Sequence, residues 1–347
     1  MSDRTLPQRK KSRLLRWLLA VVLLIAVAVT AFWLWSASEL ETALARWRAD
    51  QEARGYVIAY RPPEISGFPL KLAAALEQPS VAAPGGWRWQ GPALAAEARI
   101  WSPLTIDFAA PGAHSLVVLA GEAPRHYDIE AVRAEGEARL NRAGRLIAGR
   151  LEFGGLTIAT PEDERASAVA LSAVIEEPRL EAGRLPATPF ALELSDLALP
   201  EQRRAILGND VQRLELNAML NGTLPAAPAR EMLGLWRDAG GTLEIRALEL
   251  DYGPLKLRGE GTLTLDEQFR PLGAFTTRIG GLTATITKLS QAGAIERGVA
   301  VALALALATL PTTPDSDGTP LVALPVTCQD GWLFLGPVRL VPLAPVL

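Results

Sequence analysis

A single cysteine, Cys328, stands in a chain of 347 residues. No intrachain disulfide is possible, so a disulfide-stapled secreted module is excluded. An oxidising compartment is not excluded, because envelope domains of this size fold without bridges. Just before Gln329-Asp330-Gly331, the lone thiol reads as a small core residue rather than a nucleophile, cysteine being among the most buried residue types. Histidine is almost as scarce. His114 and His126 are the only two. Neither has cysteine or carboxylates at ligand spacing, which leaves no His-based metal site and few general bases. His126, in Arg125-His126-Tyr127-Asp128, reads as surface. The sequence has no Gly-x-Ser-x-Gly elbow and no glycine-rich loop leading into a lysine. The runs Glu162-Asp163-Glu164 and Glu176-Glu177 come nearest to paired carboxylates, but their charged surroundings mark solvated faces. The expectation is a non-enzymatic protein with no catalytic residue, no metal site and no cofactor.

Positive charge is scarce wherever a nucleic acid would need it. The net charge is −3 overall. Up to residue 16, six basic residues face Asp3 alone, a net +5, which leaves −8 for everything downstream. A mildly acidic body has no basic stripe to neutralise phosphates, so nucleic acid is not an expected partner.

Long apolar runs are also rare, with one exception. Residues 17–35 read WLLAVVLLIAVAVTAFWLW, with no charge and Thr30 as the one polar side chain. About 20 apolar residues at 1.5 Å each span the hydrocarbon core of roughly 30 Å. Trp17 opens the run, and Trp33 and Trp35 close it, where amphipathic rings favour the headgroup layer. A cleaved signal peptide has an apolar core of about 7–15 residues, so an uncleaved anchor is the better reading. Arg9, Lys10, Lys11, Arg13 and Arg16 crowd one flank, and Glu39 and Glu41 open the other. Positive charge stays in the cytosol, which places the N-terminus inside. The expected division is a cytosolic basic tail (1–16), a transmembrane anchor (17–35), a stalk helix (36–55) and a periplasmic β-rich body (56–347), in a bacterial inner membrane.

After the anchor, Leu40, Leu44 and Trp47 keep helical spacing, Ser38 can cap and Gly55 suits the position past the end. The period then changes to two. Apolar residues alternate at Tyr56-Ile58-Tyr60, at Leu70-Leu72-Ala74-Leu76 and at Leu104-Ile106-Phe108. The pattern returns at Tyr127-Ile129-Ala131, Phe190-Leu192-Leu194 and Leu214-Leu216-Ala218-Leu220. Leu255, Leu257, Gly259, Gly261, Leu263 and Leu265 give the longest case, with charged and hydroxylic residues between them. Half-buried antiparallel strands have this signature. Turn chemistry separates them at Pro84-Gly85-Gly86, Pro111-Gly112, Asn221-Gly222 and Tyr252-Gly253-Pro254. Helices are expected over 225–238 and 282–310, although the alanine-rich 298–310 also fits a strand. The stretches 161–165 and 311–320 read as exposed connections. The fold class is thus mainly β (α+β): a long twisted antiparallel sheet or open half-barrel, with a few helices on one face. Gly67, Gly259 and Gly261 are expected at bends or close approaches. Trp87 and Trp89 share one strand face. With Phe68 and Trp101 they are the candidate lining of an apolar groove.

Ile65-Ser66-Gly67-Phe68-Pro69-Leu70, then Trp87 and Trp101 with Pro103, and the ending Asp330-Gly331-Trp332-Leu333-Phe334-Leu335-Gly336-Pro337 resemble the bacterial family catalogued as domain of unknown function 2125. That resemblance implies an envelope protein and carries over no catalytic residue. The Gly-x-Gly strand from Leu255 with Asp266 after it is similar to AsmA-like envelope proteins, which implies an elongated β-groove and lipid handling. The expected partners are the bilayer and a lipid-like ligand or an envelope protein. The leading reading is a protein that binds or passes on a lipid-like ligand in envelope maintenance. The alternatives are a protein-binding accessory or scaffold subunit and, ranked last, a periplasmic hydrolase. Topology is directly testable. A reporter active only outside the cytosol, fused after Leu347, is expected to be active, and neutralising Arg9, Lys10, Lys11, Arg13 and Arg16 is expected to scramble the orientation. A cytosol-only signal from the unaltered flank would overturn the assignment.

Overall fold

The computed structural model describes residues 9–84, 86–120, 123–160, 164–200, 205–225, 227, 229–315 and 318–346. Helix α1 (Arg9–Ala53) carries the apolar run and the stalk as one uninterrupted rod of 45 residues. At 1.5 Å per residue it is about 68 Å long, roughly twice a hydrocarbon core. Its section from Arg16 is long and apolar enough to cross a membrane, and none of that apolar stretch is buried by the rest of the protein. Gly55 (φ 88°) ends the rod. Arg16 is exposed on it, whereas the side chains of Arg9, Lys10, Lys11 and Arg13 lie outside the described set.

Eight strands follow: β1 (Val57–Ala59), β2 (Glu64–Ser66), β3 (Lys71–Glu77), β4 (Ser80–Ala82), β5 (Trp87–Gln90), β6 (Ala93–Arg99), β7 (Ser102–Ala109) and β8 (Gly112–Ala120). Long strands come next: β9 (Ala123–Leu140), β10 (Leu146–Ala159), β11 (Arg165–Ile175), β12 (Ala187–Ala198) and β13 (Asp210–Asn221). Helix α2 (Ala229–Asp238) leads to β14 (Thr242–Tyr252), β15 (Leu255–Leu265) and β16 (Pro271–Gly280). Helices α3 (Leu282–Gln291) and α4 (Arg297–Ala308) precede β17 (Thr312–Pro314), β18 (Pro320–Gln329), β19 (Trp332–Leu335) and β20 (Val338–Pro342).

All of these strands pair antiparallel in one open sheet, as the period-two pattern requires. Strand β9 is the hub. One edge pairs with β10 along its length. The other is shared: its first half takes β8 and its second half takes β7. Two short branches therefore leave it, β7-β6-β3-β2 and β8-β5-β4-β1. On the other side the chain runs as a simple meander from β10 to β16, and β18 adds to β16.

The helices lie on one face, as expected. Trp236 of α2 is buried with Leu265 and Phe269, and Leu220 and Leu233 pack around them. Ile286, Ala300 and Leu307 of α3 and α4 form a second cluster that includes Leu324 of β18. Three expectations are corrected. The helix over 282–310 is two helices, because Gly293 takes φ 75° after α3. Residues 298–308 are helical, as expected, and not the alternative strand. Asn221-Gly222 makes no hairpin. Gly222 (φ 103°) stops β13, and the chain returns through α2 to set Thr242 opposite Asn221. The supposed connection 311–320 contains β17, which pairs with β18. Gly85, residues 161–163 and residues 316–317, which belong to three expected turns or loops, lie outside the described residues.

The β15–β16 turn shows how the apolar face is closed at this end. Asp266 accepts hydrogen bonds from the backbone N–H groups of Gln268 and Arg270 and pairs with the Arg270 guanidinium at 2.7 Å. This turn puts Phe269 at φ 60° and drives its ring inward. Burial pushes the Asp266 carboxyl up, but the donors from Arg270 and Gln268 outweigh it and hold the group below the usual carboxylate range. A lowered native pKa means stability that is present above the unfolded value of about 3.9 and lost as pH falls through the native one. Thermal melts of the wild type are expected to lose stability as pH drops below about 4. Asp266→Asn should be less stable at neutral pH and should lose less over that acid interval.

Candidate functional face

Directly opposed residues of an antiparallel sheet share a face, so register alone traces what each face presents. One row runs through Ile65, Ala74, Ala96, Phe108, Gly136 and Leu151. It continues through Ala173, Leu192, Leu216, Leu248, Gly259, Thr277 and Leu324. A parallel row passes from Leu72, Ala98, Ile106 and Ala138 to Gly149, Ile175, Phe190 and Ala218. Its far end is Ile245, Gly261, Phe275, Val326 and Leu335. A third joins Ala134, Phe153, Leu171, Leu194, Leu214, Leu250, Leu257, Ile279 and Val322. Apart from Thr277, every member is apolar or glycine. From β2 to β18 the first row covers on the order of 60 Å at about 4.8 Å per strand.

Glycine lets this face fold closely on itself. A Cβ at Gly136 would collide with the Phe108 ring, and one at Gly261 would collide with the Ala274 carbonyl and Phe275. The expectation that Gly259 and Gly261 mark close approaches holds, since a Cβ at Gly259 would sit 3.1 Å from the Thr277 methyl. Most of these apolar side chains are only half-buried, because α2 and the α3–α4 pair cover one end alone.

The opposite face is charged. Glu135, Glu152, Ser172, Glu193, Glu215, Glu249, Arg258 and Arg278 follow one another across the strands. Arg258 bonds Asp251 at 2.7 Å and lies 3.5 Å from both Glu249 and Asp315. Burial lowers its pKa, yet this carboxylate surround raises it overall. A hollow of about 540 Å³ on the same face is lined by Glu97, Asp107, Glu135, Glu137, Glu152 and Arg150 beside small alanines. Glu97 is paired with Lys71 at 2.6 Å and Glu152 with Arg150 at 3.4 Å. Glu135 and Glu137 are exposed, so the hollow is an open charged surface. Among the described residues, no group of three or more His, Cys, Asp or Glu side chains could hold a metal ion.

The four aromatic residues expected to line one groove are not brought together. Trp87 and Trp89 do share a face of β5, where Trp89 opposes Leu116 and stacks on His114 with centroids 5.8 Å apart. His114 is held by the Ala110 carbonyl at 2.8 Å, whereas His126 is exposed, as expected of a surface residue. Phe68 sits in the turn after Gly67 (φ 97°) and meets Trp33 of α1 edge-on. Trp101 is exposed in the β6–β7 turn. The anchor's Trp17 and Trp35 are exposed, while Trp33 is half-buried and donates to the Lys71 carbonyl at 2.7 Å. Sequence reasoning missed the leucine rows as the continuous feature. Each strand showed its own alternation, but the alignment of those alternations is a property of the register.

This arrangement defines a class: an open antiparallel sheet with one apolar and one charged face, carried on a helix able to span a membrane. Residues 33–344 match the family described as uncharacterized protein conserved in bacteria (DUF2125), and the chain belongs to that family. No curated protein and no solved structure matches it.

Cys328 bears out its reading as a core residue. It is buried opposite Gly273, and burial pushes its thiol pKa up. Maleimide labelling of the native protein is therefore expected to be slow, becoming complete in denaturant. Rapid native labelling would show that the β16–β18 pair opens.

Proposed function

We propose that the apolar face is a track for the acyl chains of a lipid-like ligand, and that the protein binds or passes such ligands without catalysing a reaction. The observation that carries this reading is the row from β2 to β18, apolar or glycine at every position but Thr277. A contiguous apolar surface of this length, lacking a second layer over most of it, calls for an occupant. The placement of the body on the far side of a bacterial inner membrane belongs to the same proposal. It draws on the basic flank before residue 17 and the acidic opening after residue 35. AsmA-like lipid handling fits this picture as an analogy of pattern, since Leu257, Gly259, Gly261 and Leu263 all face the track.

The rival reading, a protein-binding accessory subunit, rests on α4. Val301 and Leu305 project outward from that helix and are 60% and 67% exposed. A helix apolar on its outer face as well as its packed face suits a protein neighbour.

Mass spectrometry of lipids carried by the detergent-extracted full chain separates the two. Lipid above the level carried by an unrelated single-span protein is expected. Leu192→Asp with Leu216→Asp, two charges placed mid-row, should reduce it several-fold while α1 remains intact. A photo-crosslinker at position 216 should capture lipid. Capture of protein there, with no lipid above background, would replace the lipid reading by the accessory one.

A further inference from the structure

The sheet meets α1 at one corner, and that corner is greasy. Turn 67–70 joins β2 to β3, and turn 100–101 joins β6 to β7. The Ile100 N–H donates to the Leu70 carbonyl at 3.2 Å, which holds the two turns side by side. Together they expose Phe68 at 55%, Leu70 at 54% and Trp101 at 64%, and Leu104 beside them at 41%. Three large apolar side chains on adjacent turns, with a fourth at the start of β7, are costly to leave in water.

What lies next to them identifies the occupant. Trp33, near the end of the apolar run of α1, donates to the Lys71 carbonyl at 2.7 Å and packs edge-on against Phe68 with ring centroids 5.7 Å apart. Phe32 and Trp35, also exposed, surround the same level of the helix. The turns are thus fastened at the height where the span ends, where tryptophan and phenylalanine prefer the boundary between headgroups and acyl chains. Immediately inward come Lys71, paired with Glu97, and exposed Arg99. Apolar tips with charges one residue behind them match the polarity profile of a bilayer surface. A flat protein partner has no reason to produce that order.

We propose that these two turns form a foot that enters the bilayer beside Trp33. The inference rests on α1 crossing the membrane, and it deepens the lipid-track reading. Leu72 and Ile106, which belong to an apolar row, are each two residues along their strands from Leu70 and Leu104. The track therefore opens directly into the leaflet, and an acyl chain can slide from bilayer to sheet without crossing water.

The test uses the full chain in phosphatidylcholine–phosphatidylglycerol vesicles, with Cys328 left in its buried place. Nitroxide labels go at Trp101→Cys and Leu104→Cys, at Val22→Cys inside the span, and at Leu180→Cys, an 80% exposed position in the β11–β12 connection. Relaxation by oxygen and by a water-soluble nickel chelate reports depth. Labels at 101 and 104 are expected to be oxygen-accessible and nickel-protected, between the values at 22 and 180. Nickel accessibility at both positions equal to that at 180, with 22 protected, would overturn the foot. That outcome would leave the lipid-track reading standing, whereas an immersed foot with no co-purifying lipid would sink the track alone. A water-exposed label at 22 would remove the membrane span and with it the foot.

Discussion

Register is the constraint on which the rest of this structure depends. A strand presents alternate side chains to opposite faces, so a slip of one residue would carry a whole set of leucines into water. The sheet holds its register from β2 to β18, and it does so even where the strands are irregular. Gln212 is an extra residue between Val211 and Arg213, and Arg246 plays the same part in β14. Both bulged residues are polar and exposed. Each bulge changes the apolar spacing from two to three, so Val211 and Leu214 keep to one face, as do Ile245 and Leu248. A line of positions absent from the pairing, Val132, Gly155, Val169, Asp196 and Gln212, crosses β9 to β13. Gly155 (φ 60°) and Asp196 (φ 51°) show the local bend. Along that crease Ala131 with Ala134 and Ala168 with Leu171 repeat the three-residue step, and all four are buried or half-buried. Bulges sharpen twist, and here they do so along a single line.

An apolar sheet face without a second layer is an unusual balance. Domains normally bury such a face against another element. Here α2 packs on Leu220 and Leu265, and α3 with α4 packs on Leu324, while the described residues provide no layer over the middle of the track. The charged face sets the counterweight. Glu193 opposes Glu215 and Glu215 opposes Glu249, like-charge pairs that cost a little local stability. Arg213 pairs with Glu215, and Arg258 answers Glu249 and Asp251, so part of the repulsion is relieved. The carboxylates that remain keep the back of the sheet hydrated and discourage stacking of copies through that side.

Strands with clean alternation were legible in the sequence: Leu255 to Leu265 is a strand in the structure with one apolar face. The long apolar helix and its continuation into a stalk were legible because a charge-free run of 19 residues at helical spacing has few other conformations open to it. Three things were not. Strands β10 and β11 hide behind alanine, glycine and a bulge that breaks the period. The break at Gly293 divides a stretch whose helical spacing reads as one helix, because a glycine in the left-handed region needs no change in hydrophobic pattern. The continuous apolar face was overlooked for a reason of weight. Phe68 and Trp101 drew attention as large rings, yet they sit in turns beside α1, while modest leucines repeated across strands build the face. Aromatic residues near one another in sequence share a site only if the register carries them to the same row.

Chain order and spatial order coincide over most of the sheet, which ties reach to strand number. From β10 to β16 each strand pairs with its predecessor, so every added strand carries the apolar row about 4.8 Å further from α1 without altering what is already built. Small and large residues interleave along the row: Ile65, Ala74, Ala96, Phe108 and Gly136 near α1, and Leu192, Leu216, Leu248 and Gly259 farther out. The Phe108 ring already fills the space over Gly136, so a small residue there is matched by a large neighbour across the pair.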